Sequence, residues 1–292
     1  MVELFIAPAL VNNDMFLRDF YSVHDGYVSI VAEQASMFAK EVAHDFNPLH
    51  DVDAKRFCVP GDLLFSLALE KYGLSQNMHF IFSGMVGHDV LLNFPDTEAE
   101  QIDVNDKQGK TYLQVERSGG LSRDSALIES FIRDYVAFSG QNFPYVLVPL
   151  LAQEKVMFNI NRPLVIYESM TLSFDHLDFR QVSVEMLEPK MEVNGKRASA
   201  FLNFLIKSGE EKVGTGFKKL SISVPSAYEA EPMQIFVDEY LARKNDYLGN
   251  LAAATSQSWL LIPNKWHWTI SLHGPIKWVC IGTNHQYNHC PI

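Results

Sequence analysis

Two hydrophobic spacings alternate along the chain. From about Asp25, apolar residues recur at helical intervals: Val31, Phe38 and Val42 are separated by seven and four, with Ile30 and Met37 beside them. This spacing predicts a helix that ends near His44, because Pro48 prevents its continuation. A short irregular segment follows. Then Leu63, Leu64, Phe65, Leu67, Ala68, Leu69 and Tyr72 give a helix that is apolar nearly all round, with Asp62 as its expected N-cap and Gly73 as its stop. Such a helix must be wrapped by other structure, and a curved sheet is the expected wrapping. Strand signals come next, in "MHFIFSG", "DVLLNFP", "TYLQVERSG" and the long run "DSALIESFIRDYVAFSG". The last is read as a strand from the alternation of Leu127, Glu129, Phe131, Arg133 and Tyr135 against the residues between them. Gly109 and the pair Gly119–Gly120 are read as turns between strands.

The same order then recurs. "FPYVLVPLLAQ" predicts a second short apolar helix, and "PLVIYESMTLSF", "RQVSVEML", "SAFLNFLIKSG" and "FKKLSISV" predict strands, with Asn194–Gly195 as a hairpin turn. Each half thus reads as a helix followed by about four antiparallel strands, an α+β duplication without sequence identity. The boundaries expected are 1–140, 141–228 and an extension over 229–292. That extension differs in composition: all four tryptophans and two of the three cysteines follow residue 250, and residues 251–292 contain no Asp or Glu. It is expected to be peripheral to the core.

Composition narrows the function classes. With 292 residues, 47% hydrophobic and 20% charged, the chain reads as an ordinary globular protein. A net charge of −11 repels a phosphate backbone, so nucleic-acid binding is not expected. No apolar run reaches membrane-spanning length and no basic leader precedes one, so no membrane association is expected. Three widely spaced cysteines, Cys58, Cys280 and Cys290, fit a reducing cytoplasm better than a disulfide framework. Cys280, His285, His289 and Cys290 lack a paired CxxC, so no metal site is expected there. Cys58 reads as a buried structural thiol, and Lys55–Arg56 and Lys218–Lys219 as solvated pairs, with contacts to a ligand's phosphates as the alternative for both.

The chemistry concentrates in "DFNPLH". Asp45 and His50 stand five apart across a proline turn, which sets both side chains on one side of a tight loop. A carboxylate and an imidazole together can hold a water and move its protons. Asn47 can fix the loop through its own backbone. In "VPGD", Gly61 directly precedes the apolar helix, and its N–H is placed to meet an oxyanion at a positive helix terminus. The bland alternative is a turn whose Asp and Asn serve only local hydrogen bonds.

"FAKEVAHDFNPLH" followed by "VPGDLLFSLAL" resembles the hydratase motif of the MaoC-like (R)-specific enoyl-CoA hydratases. The resemblance is specific over residues 37–69 and architectural over about 78–224. It implies a double hot-dog fold, in which antiparallel sheet wraps each apolar helix. It also implies Asp45 and His50 as the catalytic pair, Gly61 as the oxyanion donor, and Asn47, Pro48, Leu64 and Phe65 as substrate contacts. The implied reaction is hydration or dehydration of a 2-enoyl or 3-hydroxyacyl thioester. No cofactor is implied beyond the coenzyme A or phosphopantetheine that carries the substrate, with acyl carrier protein as a possible partner. Three departures stand out: Pro60 replaces the usual His before the glycine, the segment from His50 to Gly61 is short, and Val52 occupies the position of a usual acid, flanked by Asp51 and Asp53. A thioester hydrolase and a non-catalytic acyl-ligand binder remain alternatives, and a monomer and a homodimer are both expected states.

Overall fold

The computed structural model of the chain describes residues 16–259. The described residues open with a 3-10 turn, Phe16–Phe20, followed by a small hairpin, Ser22–His24 (β1) and Tyr27–Ser29 (β2). Its two-residue turn, Asp25–Gly26, carries positive φ at both positions. The first helix therefore starts later than its apolar spacing suggests. It runs over Ala32–Met37 (α1) and continues as a π-helical stretch over Phe38–Val42. Asp-Gly is a strong hairpin signal in its own right, and here it outweighs the helical period around it.

The apolar helix forms over Gly61–Tyr72 (α2) and ends at Gly73. Asp62 does not cap it. Pro60 holds the N-cap position, and Asp62 sits in the first turn with its side chain turned elsewhere. Four strands follow: Leu74–Phe82 (β3), Leu92–Asn93 (β4), Gln101–Asp106 (β5) and Thr111–Ser122 (β6). Gly119–Gly120 lies inside β6 rather than between strands. Pairing with β3 slips there, and Gly119 takes φ +80° in the bulge.

The run expected as a fourth long strand is instead a helix, Ser125–Gly140 (α3), capped by the Asp124 carboxylate on the Ala126 and Leu127 N–H groups. The apolar residues of both alternating sets recur every fourth position. Leu127, Phe131 and Tyr135 form one row and Ile128, Ile132 and Val136 another, and all six are buried. A strand would have sent one row to solvent.

Two short helices, Asn142–Tyr145 (α4) and Leu147–Gln153 (α5), take the place of the predicted second apolar helix. Pro149 is accommodated in the first turn of α5, where no intrahelical N–H is needed. Val156–Met157 (β7) leads to Val165–Phe174 (β8), Ser183–Met186 (β9), Lys190–Asn194 (β10), Arg197–Ser208 (β11) and Glu211–Ser223 (β12). Ser226–Ala227 (β13) returns to pair with β7, and Ala230–Trp259 (α6) closes the described chain. One compact unit ends at Lys244, within α6. Among the described residues, no helix is long and apolar enough to cross a membrane.

The sheet order is β1-β2-β4-β5-β6-β3-β8-β12-β11-β10, antiparallel throughout, with β9 also on β11. Outward from the β3–β8 seam, both halves run first strand, last strand and then backwards along the chain: β3, β6, β5, β4 on one side and β8, β12, β11, β10 on the other, with β9 set off this path on β11. The repeat of strand order around an antiparallel seam, with buried helices on the sheet, is the double hot-dog fold. One hydrophobic cluster spans the seam. It joins α2 and α3 to strands of both halves, through Phe65, Phe80, Phe131, Met170, Leu172 and Phe204 among others.

Gly140 ends α3 against the loop after the π-helical stretch, and a Cβ there would lie 1.8 Å from the Ala43 carbonyl oxygen. Backbone cannot yield as a side chain can. Gly140→Ala is expected to cost about 3 kcal/mol and to lower Tm by about 6–12 °C in thermal unfolding. A Tm within about 2 °C of wild type would contradict this contact.

Candidate active site

The loop after Val42 is closed by its own backbone. His44 takes φ +54°, and the Asp45 N–H donates to the Ala39 carbonyl at 2.8 Å. Asn47 caps the single 3-10 turn Pro48–His50, its side chain accepting the Leu49 N–H at 3.1 Å. The Cys58 N–H donates to the Leu49 carbonyl at 2.9 Å, which folds the short segment between His50 and Gly61 onto the turn.

These bonds aim two side chains at each other. Asp45 Oδ2 lies 3.8 Å from His50 Nε2. The other ring nitrogen, Nδ1, is 2.7 Å from the Cys58 carbonyl oxygen, an acceptor only, so Nδ1 carries hydrogen. In the neutral ring the Nε2 lone pair then faces Asp45. Asp45 Oδ1 accepts the Asn47 N–H at 2.9 Å and the Tyr240 hydroxyl at 3.3 Å, leaving Oδ2 towards His50. Tyr240 in turn accepts the Phe46 N–H at 3.0 Å. The separation of 3.8 Å is too long for a direct hydrogen bond and leaves room for one water to touch both groups.

Both groups line a cavity of about 300 Å³. Asn47, Pro48, Gly61 and Leu64 line it too, so six of the seven site residues expected from sequence converge on one space. Phe65 does not. It turns away into an aromatic cluster, with ring centroids 5.0 Å from Phe80 and 5.1 Å from Tyr135. The reason is helical phase: neighbouring positions of α2 point about 100° apart, so Leu64 faces the cavity while Phe65 lies on the side shared with Leu69 and Tyr72. The Gly61 N–H is among the first of α2, which have no intrahelical acceptor. Its backbone packs beneath the stacked rings of Phe82 and Tyr167.

The cavity wall also holds residues to which the sequence gave other roles or none. Lys218, read as solvated, is 5% exposed and donates from Nζ to Ser139 Oγ. Ser139 donates to Asp62 Oδ2 at 2.6 Å. Lys219, its neighbour, faces outward and pairs with Glu168 at 2.6 Å. Asp62 Oδ1 and Asn142 Nδ2 are buried at the cavity wall without a hydrogen-bond partner among the described residues. Strand alternation carried the signal for Lys218: in β12, Gly216, Lys218, Leu220 and Ile222 share the inward side.

Burial raises the Asp45 carboxyl above the usual carboxylate range, with Asp62 adding to the rise and His50, the Asn47 N–H and Lys218 opposing it. Burial lowers the Lys218 ammonium, with Asp62 and Asp45 opposing. Burial also pushes the Cys58 thiol up to about 11, and its S–H donates to the Val59 carbonyl, so this thiol is not poised as a nucleophile. Among the described residues, no three His, Cys, Asp or Glu side chains converge as metal ligands. The Cys280, His285, His289 and Cys290 set lies outside the described residues.

Residues 15–231 match the family described as "Protein of unknown function (DUF3581)". The chain belongs to this family. No functionally curated protein matches it. Among solved structures it is similar to an acyl-CoA thioesterase II TesB2 from Mycobacterium marinum. That match has 13% identity and a TM-score of 0.35, over 58% of this chain and 91% of that one. It is also similar to a conserved protein of unknown function with hot dog fold from Alicyclobacillus acidocaldarius. There the identity is 10% and the TM-score 0.41, over 72% of this chain and 99% of that one. A third similarity, to the 12:0-ACP thioesterase from Umbellularia californica, has 10% identity and a TM-score of 0.26, over 54% and 76% of the two chains.

A buried carboxyl whose folded pKa is raised loses stabilising influence as pH climbs. Its cost is absent below the unfolded-state pKa and complete above the folded one. Asp45→Asn is therefore expected to unfold at a higher temperature than wild type at pH 7. The gap should close as pH falls below the ordinary aspartate value of 3.8. Thermal unfolding across pH checks this; a variant less stable at pH 7 than at pH 3.5 relative to wild type would contradict it.

Proposed function

We propose that the protein adds water to, or removes it from, the conjugated double bond of an acyl thioester. The observation that carries the reading is the 3.8 Å gap between Asp45 Oδ2 and His50 Nε2 at the cavity wall. A water bridging both groups from the cavity side donates one proton to the pair as its oxygen bonds to C3 of a 2-enoyl thioester. The pair returns a proton to C2, so one water is consumed and no proton is lost. Fixing His50 Nδ1 as a donor to Cys58 leaves Nε2 for this exchange. The Gly61 N–H at the start of α2 supplies a donor for the carbonyl oxygen. Leu64, Leu147, Phe158, Val165 and Phe236 give the cavity apolar surface for an acyl chain. Coenzyme A or the phosphopantetheine of acyl carrier protein would carry the thioester.

A second reading is hydrolysis, in which water attacks the carbonyl carbon, the C–S bond breaks and a thiol leaves. Asp62 favours it. Its unpartnered Oδ1 is a second carboxylate oxygen beside Gly61, close to where the carbonyl would lie.

Crotonyl-CoA separates the two. Hydration removes the enoyl absorbance without releasing thiol, whereas hydrolysis releases it. We expect loss of absorbance without thiol, with kcat/KM lowered about 10²–10⁴-fold by Asp45→Asn or His50→Ala. Thiol release matching substrate loss would replace hydration by hydrolysis. Unchanged turnover in both folded variants would remove the pair from either reaction.

A further inference from the structure

Resting on that reading of the cavity, we propose that Lys218 is the electrophile that binds the thioester carbonyl oxygen and stabilises the negative charge developing on it. Lys218 occupies an inward position of β12 between Gly216 and Leu220, where a residue of that strand ordinarily supplies apolar core. Burying an ammonium is costly unless something compensates the charge. The compensation here is indirect. Nζ bonds to Ser139 Oγ and lies 4.0 Å from the centre of the Tyr167 ring, and Ser139 bonds onward to Asp62. Among the described residues, Lys218 makes no direct ion pair within 4.0 Å. A pair serving only stability would close on contact, as Lys219 and Glu168 do on the outer face. The serine spacer keeps the ammonium and Asp62 apart and leaves donor capacity on Nζ. An ammonium has three N–H groups, of which Ser139 takes one and the Tyr167 face can take another. The third is available to the cavity that Lys218 lines.

The same wall selects the kind of oxygen bound. Asp45 and Asp62 both interact electrostatically with Lys218, so a ligand carboxylate would meet two acids for one base. A neutral carbonyl escapes that repulsion and gains most when charge moves onto it. During addition of water, the C2=C3 electrons shift towards C1 and the carbonyl electrons onto oxygen, which Lys218 faces as a cation. When the enolate collapses, C2 takes its proton from Asp45 and His50. Lys218 neither gains nor loses one. Ser139 is a positioning residue, since it acts through Lys218.

The test is spectroscopic and does not need turnover. A 2,4-hexadienoyl-CoA thioester absorbs at longer wavelength when its carbonyl is polarised. The full chain carrying Asp45→Asn is expected to shift the bound chromophore to longer wavelength. Adding Lys218→Met should abolish the shift, and adding Ser139→Ala should reduce it. Lys218→Gln, a milder change should the Met variant not fold, should also reduce it. In an otherwise wild-type chain, Lys218→Met should lower kcat about 10²–10³-fold, the cost of losing an oxyanion donor, with KM little changed. An undiminished shift in a folded Lys218 variant overturns the assignment, as does the absence of any shift with Asp45→Asn alone. A lysine-dependent shift in a protein that turns over neither by hydration nor by hydrolysis overturns the water-addition reading and leaves Lys218 assigned. Turnover with a lysine-independent shift does the reverse.

Discussion

The pairing of β3 with β8 is the constraint on which the site depends. It sets Asn77 opposite Ser173, His79 opposite Thr171 and Ile81 opposite Ser169, joining two half-sheets into one. At the cavity end of this seam Phe82 stacks on Tyr167, with ring centroids 4.4 Å apart, and the pair lies over the Gly61 backbone. The cavity is thereby walled from both halves. Asp45, His50 and Asp62 come from the first, Tyr167 and Lys218 from the second, and Ser139 and Asn142 from the helices that connect them. Neither half alone contains the cavity.

Placing ionisable groups at such a seam opposes stability. Desolvation drives Asp45 and Lys218 in opposite directions, each towards its neutral form, and their mutual attraction opposes both shifts. The surrounding core supplies the compensating burial: Phe65, Phe80, Phe131, Tyr135 and Phe204 are fully buried around α2 and α3. The arrangement resembles other reactive sites, where strained electrostatics is held in place by packing that does not take part in the chemistry.

What could be read from sequence follows contact distance along the chain. The Asp45–His50 pair was legible because a six-residue loop both contains it and shapes it, through bonds such as Asn47 to Leu49. The duplicated α+β architecture was legible because period-two alternation and turns such as Asn194–Gly195 are local, whereas the order of strands in the sheet depends on long-range pairing. Tyr240 was not, since its bond to Asp45 spans 195 positions and depends on α6 reaching the loop. Lys218 and Ser139 were hidden for two reasons. Paired lysines ordinarily mark a solvated face, and the period-two alternation of residues 127–136 imitates a strand, which places Ser139 at no helix end. The four-residue spacing of Ile128, Ile132 and Val136 was the signal that would have corrected it.

The central claim is that Asp45 and His50 deliver a water across a conjugated thioester and return its proton to the neighbouring carbon. Turnover of a 2-enoyl thioester in deuterium oxide, followed by mass spectrometry of the product, tests it most directly. An intact 3-hydroxyacyl thioester carrying one deuterium at C2 is expected, with no such product from Asp45→Asn. A free acid without deuterium at C2, or the same labelled product from the asparagine variant, would contradict it.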